Sequence, residues 1–279
     1  MTYRILSSES SCPVDCWLSD TEIAPLTPES CYFICTLPRS GSWLLAEALE
    51  KTRVAGRPRE YFEPKLFEGK PAAVPAALDR IFRKGMTKNS VFGAKLHWYQ
   101  FEFAVQLVLS DHAPHQLAPI ALAKNFPKLK YIWLTRREKV RQAISYYRAT
   151  KTGQWWNIPE VTRHANDIQQ PDFDFERIQY LEGLLVRHET NWHKFFDENE
   201  IDPLVLVYED FAQTLESAVD EVLSYVGLSR PKEVDLSSRL LRQSDLLTET
   251  WVEMYTHLKR NRRSTLLRLP GQPSREMFA

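Results

Sequence analysis

Cysteine, net charge and long apolar runs are all scarce in this sequence, and each shortage excludes a class of protein. Four cysteines in 279 residues cannot form the disulfide framework of a small secreted domain. Basic and acidic residues both number 36, so no net charge drives broad binding to nucleic acids or membrane surfaces, and any anion site must be local. No run approaches the ~18 apolar residues of a membrane helix, and no apolar signal core is visible. We expect a soluble, cytoplasmic protein with no membrane span and no nucleic-acid partner.

The four cysteines form two C-x-x-x-C pairs, Cys12 with Cys16 and Cys31 with Cys35, which raises the question of a zinc site. The usual zinc spacing is C-x-x-C, and the second pair falls inside an apolar, β-prone segment. Residues four apart in a strand share a face, so Cys31 and Cys35 would lie beside Phe33. We predict core cysteines here and no bound metal.

Apolar, β-prone stretches alternate along the chain with stretches of helical spacing. Strands are predicted at residues 31–37, 90–98, 130–135 and 204–208. Helices are predicted at about 43–49, 76–83, 99–109, 116–125, 140–147, 175–199, 213–226 and 246–258. Strands that alternate with helices indicate an α/β fold with a mainly parallel central sheet flanked by helices. We assign residues 1–30 to an irregular N-terminal extension and 31–279 to a single domain.

The first strand runs directly into residues 38–43, which read Pro-Arg-Ser-Gly-Ser-Trp and predict a tight turn followed by a helix. Such a turn leaves backbone N–H groups unpaired at the positive end of a helix, where anions bind. The nucleoside-triphosphatase pattern G-x-x-x-x-G-K-[ST] would need a glycine at position 36 and a lysine after Gly41, and neither is there. The turn therefore predicts an anion site of a different kind.

Two further strands also end in charged residues. The strand at 90–98 ends near Lys95 and His97, and the strand at 130–135 is followed by Arg136 and Arg137. Ligands of open α/β sheets bind outside the carboxyl ends of the strands. A magnesium-dependent phosphotransferase would favour a carboxylate at such a strand end, whereas here the side chains are cations. This favours an anion site that needs no metal.

Several of these segments resemble motifs of the sulfotransferases that use 3′-phosphoadenosine 5′-phosphosulfate (PAPS). Residues 38–45 resemble the loop that binds the 5′-phosphosulfate, with arginine where many members have lysine. Arg137 and Ser145 resemble the 3′-phosphate motif, and residues 207–211 match a late sulfotransferase block. Residues 54–62, Val-Ala-Gly-Arg-Pro-Arg-Glu-Tyr-Phe, resemble the G-x-P-x-E-[FY]-F element of the bacterial carbohydrate branch, typified by trehalose 2-sulfotransferase. The resemblance extends from about residue 31 to about 260.

The resemblance implies a P-loop-like three-layer fold and in-line transfer of a sulfuryl group from PAPS, without a metal, to a hydroxyl of a carbohydrate or glycolipid. It places the general base at Glu60, with His97 as the alternative, since Lys95-Leu96-His97 resembles an element in which histidine is the base and lysine contacts the sulfuryl group. It also suggests a homodimer. The residues expected to bind the nucleotide are Arg39, Ser40, Gly41, Ser42, Trp43, Arg136, Arg137 and Ser145.

Two other interpretations stay open at this point. A P-loop small-molecule kinase would share the strand, loop and helix, although the Gly-Lys-[Ser/Thr] signature is missing. A catalytically silent glycan-binding protein could keep the same fold, since fold alone does not fix function. The acceptor is also open among trehalose, a lipopolysaccharide sugar and another glycolipid headgroup.

Overall fold

A computed structural model of the chain describes residues 26–68, 73–109, 115–155, 170–237 and 246–267. The sheet has four strands: β1 (Ser30–Thr36), β2 (Val91–His97), β3 (Lys130–Thr135) and β4 (Leu204–Val207). Their order is β2-β1-β3-β4, and every pairing is parallel. The predicted α/β fold with a parallel central sheet is therefore confirmed. The single-domain assignment stays a prediction, and the proposed extension lies almost wholly outside the described residues.

Helices follow every strand and cover the sheet. In chain order they are α1 (Ser42–Lys51), α2 (Val74–Gly85), α3 (Trp98–Val108), α4 (Ala118–Asn125), α5 (Lys139–Thr152), α6 (Phe175–Glu198), α7 (Tyr208–Phe211), α8 (Leu215–Val226) and α9 (Leu246–Leu267). Within the described ranges, no helix is both long enough and apolar enough to cross a membrane.

The sheet is buried on both faces, which explains why its strands read as continuous apolar runs rather than alternating ones. On one face, Phe33 and its strand neighbours pack with α2 to α6 and α9 in a core rich in aromatic rings. On the other, Tyr32 and Ile34 pack against α1 and α8. The result is the expected three-layer, P-loop-like arrangement of helix, sheet and helix.

The core on the Phe33 face of the sheet also contains two of the cysteines. Cys31 and Cys35 are buried free thiols on the same face as Phe33. The prediction that they are core residues is confirmed. Cys12 and Cys16 lie outside the described residues.

The register of the sheet brings the predicted site residues to one edge. Thr36, the last residue of β1, is the partner of His97 in β2 and of Leu134 in β3. The loop that leaves β1, the end of β2 and the turn after β3 are therefore neighbours, although up to about a hundred residues separate them in sequence. This edge holds the candidate site.

Candidate active site

The loop between β1 and α1 is tightly held and leaves the start of the helix open. The Thr36 and Ser40 hydroxyls lie 2.5 Å apart, and Thr36 Oγ1 donates to the Leu134 carbonyl at 3.0 Å. Arg39 and Gly41 both adopt left-handed backbone conformations, with φ of 63° and 79°. Gly41 is the N-cap of α1, and no side chain caps this helix. Its first-turn N–H groups are therefore available to an anion, as expected from the sequence.

Glycine is required at position 41 for two reasons. Its φ is one that L-residues rarely adopt, and a Cβ built there would lie 2.3 Å from the ring of Tyr208. Tyr208 is the first residue of α7, directly after β4, so this contact joins the late sulfotransferase-like segment to the anion loop. Both segments that the sequence singled out therefore belong to one site.

Arg39 projects across this loop without an acidic partner. Its Nε donates to Ser145 Oγ at 2.9 Å, and its Nη1 donates to the carbonyl of Trp155. No carboxylate in the described part of the chain pairs with it. Burial and, next, the charge of Arg136 lower the pKa of Arg39 to about 10, so it remains a cation at neutral pH. A partly buried guanidinium that is bonded only to neutral groups is suited to receive an anion.

Arg136 lies beside Arg39 and points into the same region. Its Nη1 donates to the Arg39 carbonyl at 3.2 Å, and its guanidinium carbon is 4.9 Å from the centre of the Tyr208 ring. Its Nε is buried without a hydrogen-bond partner, 3.5 Å from a carboxylate oxygen of Glu209. Burial lowers the pKa of Arg136, which is consistent with a cation held away from water. Two guanidinium groups thus converge next to the open end of α1.

Arg137, by contrast, points to the surface. Its guanidinium pairs with both carboxylate oxygens of Asp210 in α7, and 57% of the side chain is exposed. The structure therefore brings Ser145 together with Arg39 and Arg136 and leaves Arg137 outside this group. The expected role of Arg137 at the 3′-phosphate stays a prediction.

We expect the two neighbouring arginines to contribute unequally to nucleotide binding. Arg136→Met removes a mostly buried cation that faces the anion loop, so we expect affinity for 3′-phosphoadenosine 5′-phosphate (PAP) to fall by roughly tenfold to a hundredfold. Arg137→Met removes an exposed, paired cation, and we expect a loss of about threefold or less. Calorimetric titration of both variants measures the difference. A larger loss for Arg137 would show that its side chain turns inward when nucleotide binds.

Glu60 reaches the site because its segment runs alongside β2. Arg59 forms a parallel bridge with Ala94, and the Lys95 N–H donates to the Arg59 carbonyl at 2.9 Å. The Glu60 side chain consequently lies over the end of β2. Its Oε1 accepts from Lys95 Nζ at 2.7 Å and is 3.7 Å from His97 Nε2. The three residues predicted to be catalytic are therefore in one cluster.

The electrostatics of this cluster keep Glu60 ionised. Burial alone would raise the pKa of Glu60, but the charge of Lys95 and the hydrogen bonds from Lys95 and Gln100 outweigh it and lower the pKa to about 2. At neutral pH the Glu60 carboxylate is ionised and can accept a proton. Its ion pair with Lys95 lowers its pKa and therefore its basicity. A ligand that draws Lys95 away would make Glu60 more basic.

His97 is neutral in this setting. Burial lowers its pKa to about 4, with the charge of Glu60 opposing the shift. A neutral imidazole can accept a proton, so His97 also meets the chemical requirement for a base. Geometry places both candidates within one cluster and leaves the choice between them open.

The lowered pKa of His97 makes stability depend on pH in a known direction. Its folded pKa of about 4 lies below the unfolded value of about 6.5, so the unfolded chain binds the proton more readily between these values. Stability is therefore lost as the pH falls through this window. At pH 5, protonation of His97 in the unfolded chain lowers the free energy of unfolding by about 2 kcal/mol. We expect chemical denaturation of His97→Gln to show a decrease between pH 7 and pH 5 that is smaller by about this amount; an equal decrease in both proteins would contradict the assignment.

Trp43 connects the two groups of charges. The guanidinium carbon of Arg59 and the Nζ of Lys95 lie 4.4 Å and 5.5 Å from the centre of its indole ring. These distances are in the range of cation–π contacts. Trp43 therefore sits between the anion loop, to which its backbone belongs, and the Glu60 cluster.

Sequence reasoning missed three polar residues of this cluster. Gln100 Nε2 donates to Glu60 at 3.0 Å and to Glu63 at 2.9 Å, and the Tyr99 hydroxyl donates to Glu63 at 2.6 Å. One signal was present in the sequence: Gln100 stands three residues after His97 at a helix start, as in a capping box, and its side chain accepts from the His97 N–H at 2.9 Å. Glu63 and Tyr99 carried no comparable signal.

Two further features of the sequence are a basic run at 259–263 and a pair of tryptophans at 155 and 156. In the basic run at 259–263, Lys259 and Arg262 form ion pairs with Glu182 and Glu176 of α6. These pairs brace the two helices against each other. Trp155 contributes its carbonyl to Arg39, whereas residue 156 is outside the described residues.

Comparison with known proteins identifies relatives of this chain. The family model of the Stf0 sulphotransferases matches residues 31–257. The chain belongs to this family. Trehalose 2-sulfotransferase of Mycolicibacterium smegmatis is 30% identical over 260 residues, which cover 80% of this chain and 93% of that protein. Trehalose 2-sulfotransferase of Mycobacterium tuberculosis is 26% identical over 255 residues, with the same shares covered.

A crystal structure of a sulfotransferase from Alicyclobacillus acidocaldarius is also similar to this Stf0 sulphotransferase. The TM-score is 0.45 at 14% sequence identity, over 86% of this chain and 95% of that one.

The family match extends over the anion loop, Glu60, Lys95, His97, the two arginines after β3 and Ser145. Membership confirms the resemblance to sulfotransferases and supports an enzyme that transfers sulfuryl groups.

Proposed function

We propose that this Stf0 sulphotransferase moves a sulfuryl group from PAPS to a hydroxyl of a carbohydrate or glycolipid. The observation that carries the proposal is the convergence of two mostly buried guanidinium groups on the uncapped start of α1: Arg39, which is bonded to neutral groups, and Arg136, whose Nε lies 3.5 Å from Glu209. This anion site lies next to the Glu60 cluster. A donor with several negative charges and an acceptor hydroxyl would meet between the two.

The donor would be held by two kinds of group. Backbone N–H groups of residues 40–43 and the Arg39 guanidinium would bind the 5′-phosphate, as in other helix N-terminal anion sites. Arg136 and the hydroxyl of Ser145 would bind the 3′-phosphate, because arginine can bind two oxygens of one phosphate at once. Since the side chains at these strand ends are cations, they supply the positive charge that a metal ion supplies in many phosphotransferases.

The transfer itself makes and breaks one bond to sulfur. The acceptor oxygen forms a new S–O bond while the bond between sulfur and the 5′-phosphate oxygen breaks, and PAP leaves with the extra negative charge. Arg39 and the N–H groups of α1 would stabilise that charge as it grows. The hydroxyl proton goes to Glu60, which is ionised and close to Lys95 Nζ. Lys95 would turn from Glu60 to the sulfuryl oxygens, which makes Glu60 more basic at the time it is needed.

The acceptor proposal follows from the relatives. Both curated relatives are trehalose 2-sulfotransferases and align with 80% of this chain. We therefore propose a carbohydrate or glycolipid hydroxyl as acceptor and trehalose as the first compound to test.

Transfer from 35S-labelled PAPS tests the proposal directly. The purified protein, without added metal, is incubated with trehalose, with other neutral sugars and with glycolipids, and sulfated product and PAP are quantified. We expect equal amounts of the two products. PAP binding without transfer to any acceptor would favour a silent glycan-binding protein, and magnesium-dependent transfer of phosphate from ATP would favour a kinase.

A further inference from the structure

Gln100 is a buried polar residue that has no role in the transfer step proposed above. It lies in the first turn of α3 and is fully buried. Burying an amide costs free energy unless its donors and acceptor are satisfied. In this structure they are satisfied, and the partners belong to the catalytic cluster.

The two ends of the Gln100 amide bind different elements. Its Oε1 accepts from the N–H of His97 at 2.9 Å, which ties the amide to the end of β2. Its Nε2 donates to Oε2 of Glu60 at 3.0 Å and to Oε2 of Glu63 at 2.9 Å. The same nitrogen is 3.2 Å from the hydroxyl oxygen of Tyr99. One amide therefore connects the strand end to two carboxylates.

We propose that Gln100 is the positioning residue of Glu60 and that it fixes the carboxylate for proton transfer. This inference rests on the proposed function, in which Glu60 accepts the proton of the acceptor hydroxyl. Lys95 holds one oxygen of Glu60 and Gln100 holds the other, so the plane of the carboxylate is set by two buried side chains. When Lys95 turns to the sulfuryl group, Gln100 is the contact that remains.

The amide also joins two carboxylates. Glu60 and Glu63 both accept from the same nitrogen, so Gln100 fixes the position of one carboxylate relative to the other. Other groups also act on Glu60: Lys95 and His97 from β2, Tyr99 from α3 and Tyr146 from α5. Gln100 is the neutral donor within this set.

Gln100→Met removes the donor and keeps a side chain of similar size. We expect kcat to fall about tenfold at pH 7, while the KM for acceptor and the Kd for PAP stay within twofold, because the variant changes the orientation and hydrogen bonding of the base and leaves the anion-binding side chains in place. Gln106→Met is the matched control, since it is the same substitution in the same helix, at an exposed position outside the Glu60 cluster. We expect its kcat within threefold of the wild type. If Gln100→Met does not fold, Gln100→Asn removes only one methylene and has the same expected direction.

A double-mutant cycle separates positioning from a general structural role. If Gln100 acts through Glu60, Gln100→Met should cost less than about twofold in a Glu60→Gln background, against about tenfold in the wild type. An equal cost in both backgrounds would overturn the proposal. So would a wild-type kcat for Gln100→Met.

A titration without substrate keeps this proposal independent of the proposed function. The carboxyl carbon of Glu60 is followed by 13C NMR in the wild type and in Gln100→Met. We expect loss of the donated hydrogen bond to raise the Glu60 midpoint by about one pH unit. An unchanged midpoint would overturn the role of Gln100 even if transfer is observed. Failure of the wild type to bind PAP, with a raised midpoint in the variant, would instead reject the proposed function alone.

Discussion

Glu60→Gln is expected to lower turnover by about 10²- to 10⁴-fold while PAP binds at least as tightly as in the wild type. Glutamine has nearly the same shape but cannot take the proton of the acceptor hydroxyl. It also removes the negative charge from beside Lys95, which leaves that cation free for the donor. Steady-state transfer from PAPS and calorimetric titration with PAP measure the two quantities separately.

Glu50→Gln is the matched control for this variant. Glu50 is in α1 and pairs with Arg59, one residue before Glu60, but contacts neither Lys95 nor His97 among the described residues. We expect its turnover within about threefold of the wild type. Near-normal turnover of Glu60→Gln would reject Glu60 as the base.

His97 is then the alternative, and pH–rate profiles distinguish the two. Without an acceptor, His97 has a pKa of about 4 and Glu60 a pKa of about 2, so the acidic limb of kcat/KM belongs to whichever group is the base. Removing the true base abolishes its limb. If His97→Ala keeps a wild-type profile and Glu60→Gln does not, Glu60 is the base.

Arg39→Met should weaken PAP binding by roughly tenfold to a hundredfold and lower kcat as well. A charge-assisted hydrogen bond from a partly buried guanidinium to phosphate contributes about 1.5–3 kcal/mol, and its strength grows as the leaving phosphate gains charge. Methionine fits the same space, and, as an unbranched side chain, it should tolerate the left-handed backbone at this position about as well as arginine does. A loss of affinity would therefore report the missing charge rather than a rearranged loop.

Arg230→Met is the control for the loss of one arginine. Arg230 pairs with Glu216 and Asp220 of α8, away from the anion loop. We expect PAP affinity within twofold of the wild type. An unchanged Kd for Arg39→Met would contradict the assignment of the β1–α1 loop as the nucleotide site.

The strands and the anion loop could be predicted because their signals are local. Continuous apolar runs identify strands buried on both faces, and the turn at 38–41 must end one of them. All four strands appear within about two residues of their predicted bounds. The parallel sheet then follows from the alternation with helices, and it places the residues after β1, β2 and β3 at one edge.

The sequence could not predict which of Arg136 and Arg137 faces the anion loop and which faces the solvent. They are consecutive residues after β3, so one faces the loop of Arg39 and the other faces outward. The turn decides which: the N–H of Arg137 donates to Glu209 at 3.1 Å, and its guanidinium is taken by Asp210. Those partners come from a helix about seventy residues later, beyond the reach of local pattern.

Gln100 was missed for a related reason. Its spacing from His97 indicates a helix cap, which is a local structural role. Its contact with Glu60 depends on the segment at 57–60 lying alongside β2, a pairing made through Arg59 and Ala94. Only the folded chain shows that the Gln100 amide both accepts from the His97 N–H and donates to the Glu60 carboxylate.

Calorimetric titration with PAP, with ATP and ADP as comparisons and no added metal, tests the central claim most directly. The anion site built from Arg39, Arg136, Ser145 and the start of α1 should bind PAP tightly and should select it over ADP by its 3′-phosphate. Tight, metal-independent binding with that selectivity is the predicted result. No binding of PAP, together with magnesium-dependent binding of ATP, would contradict the account and favour a phosphotransferase.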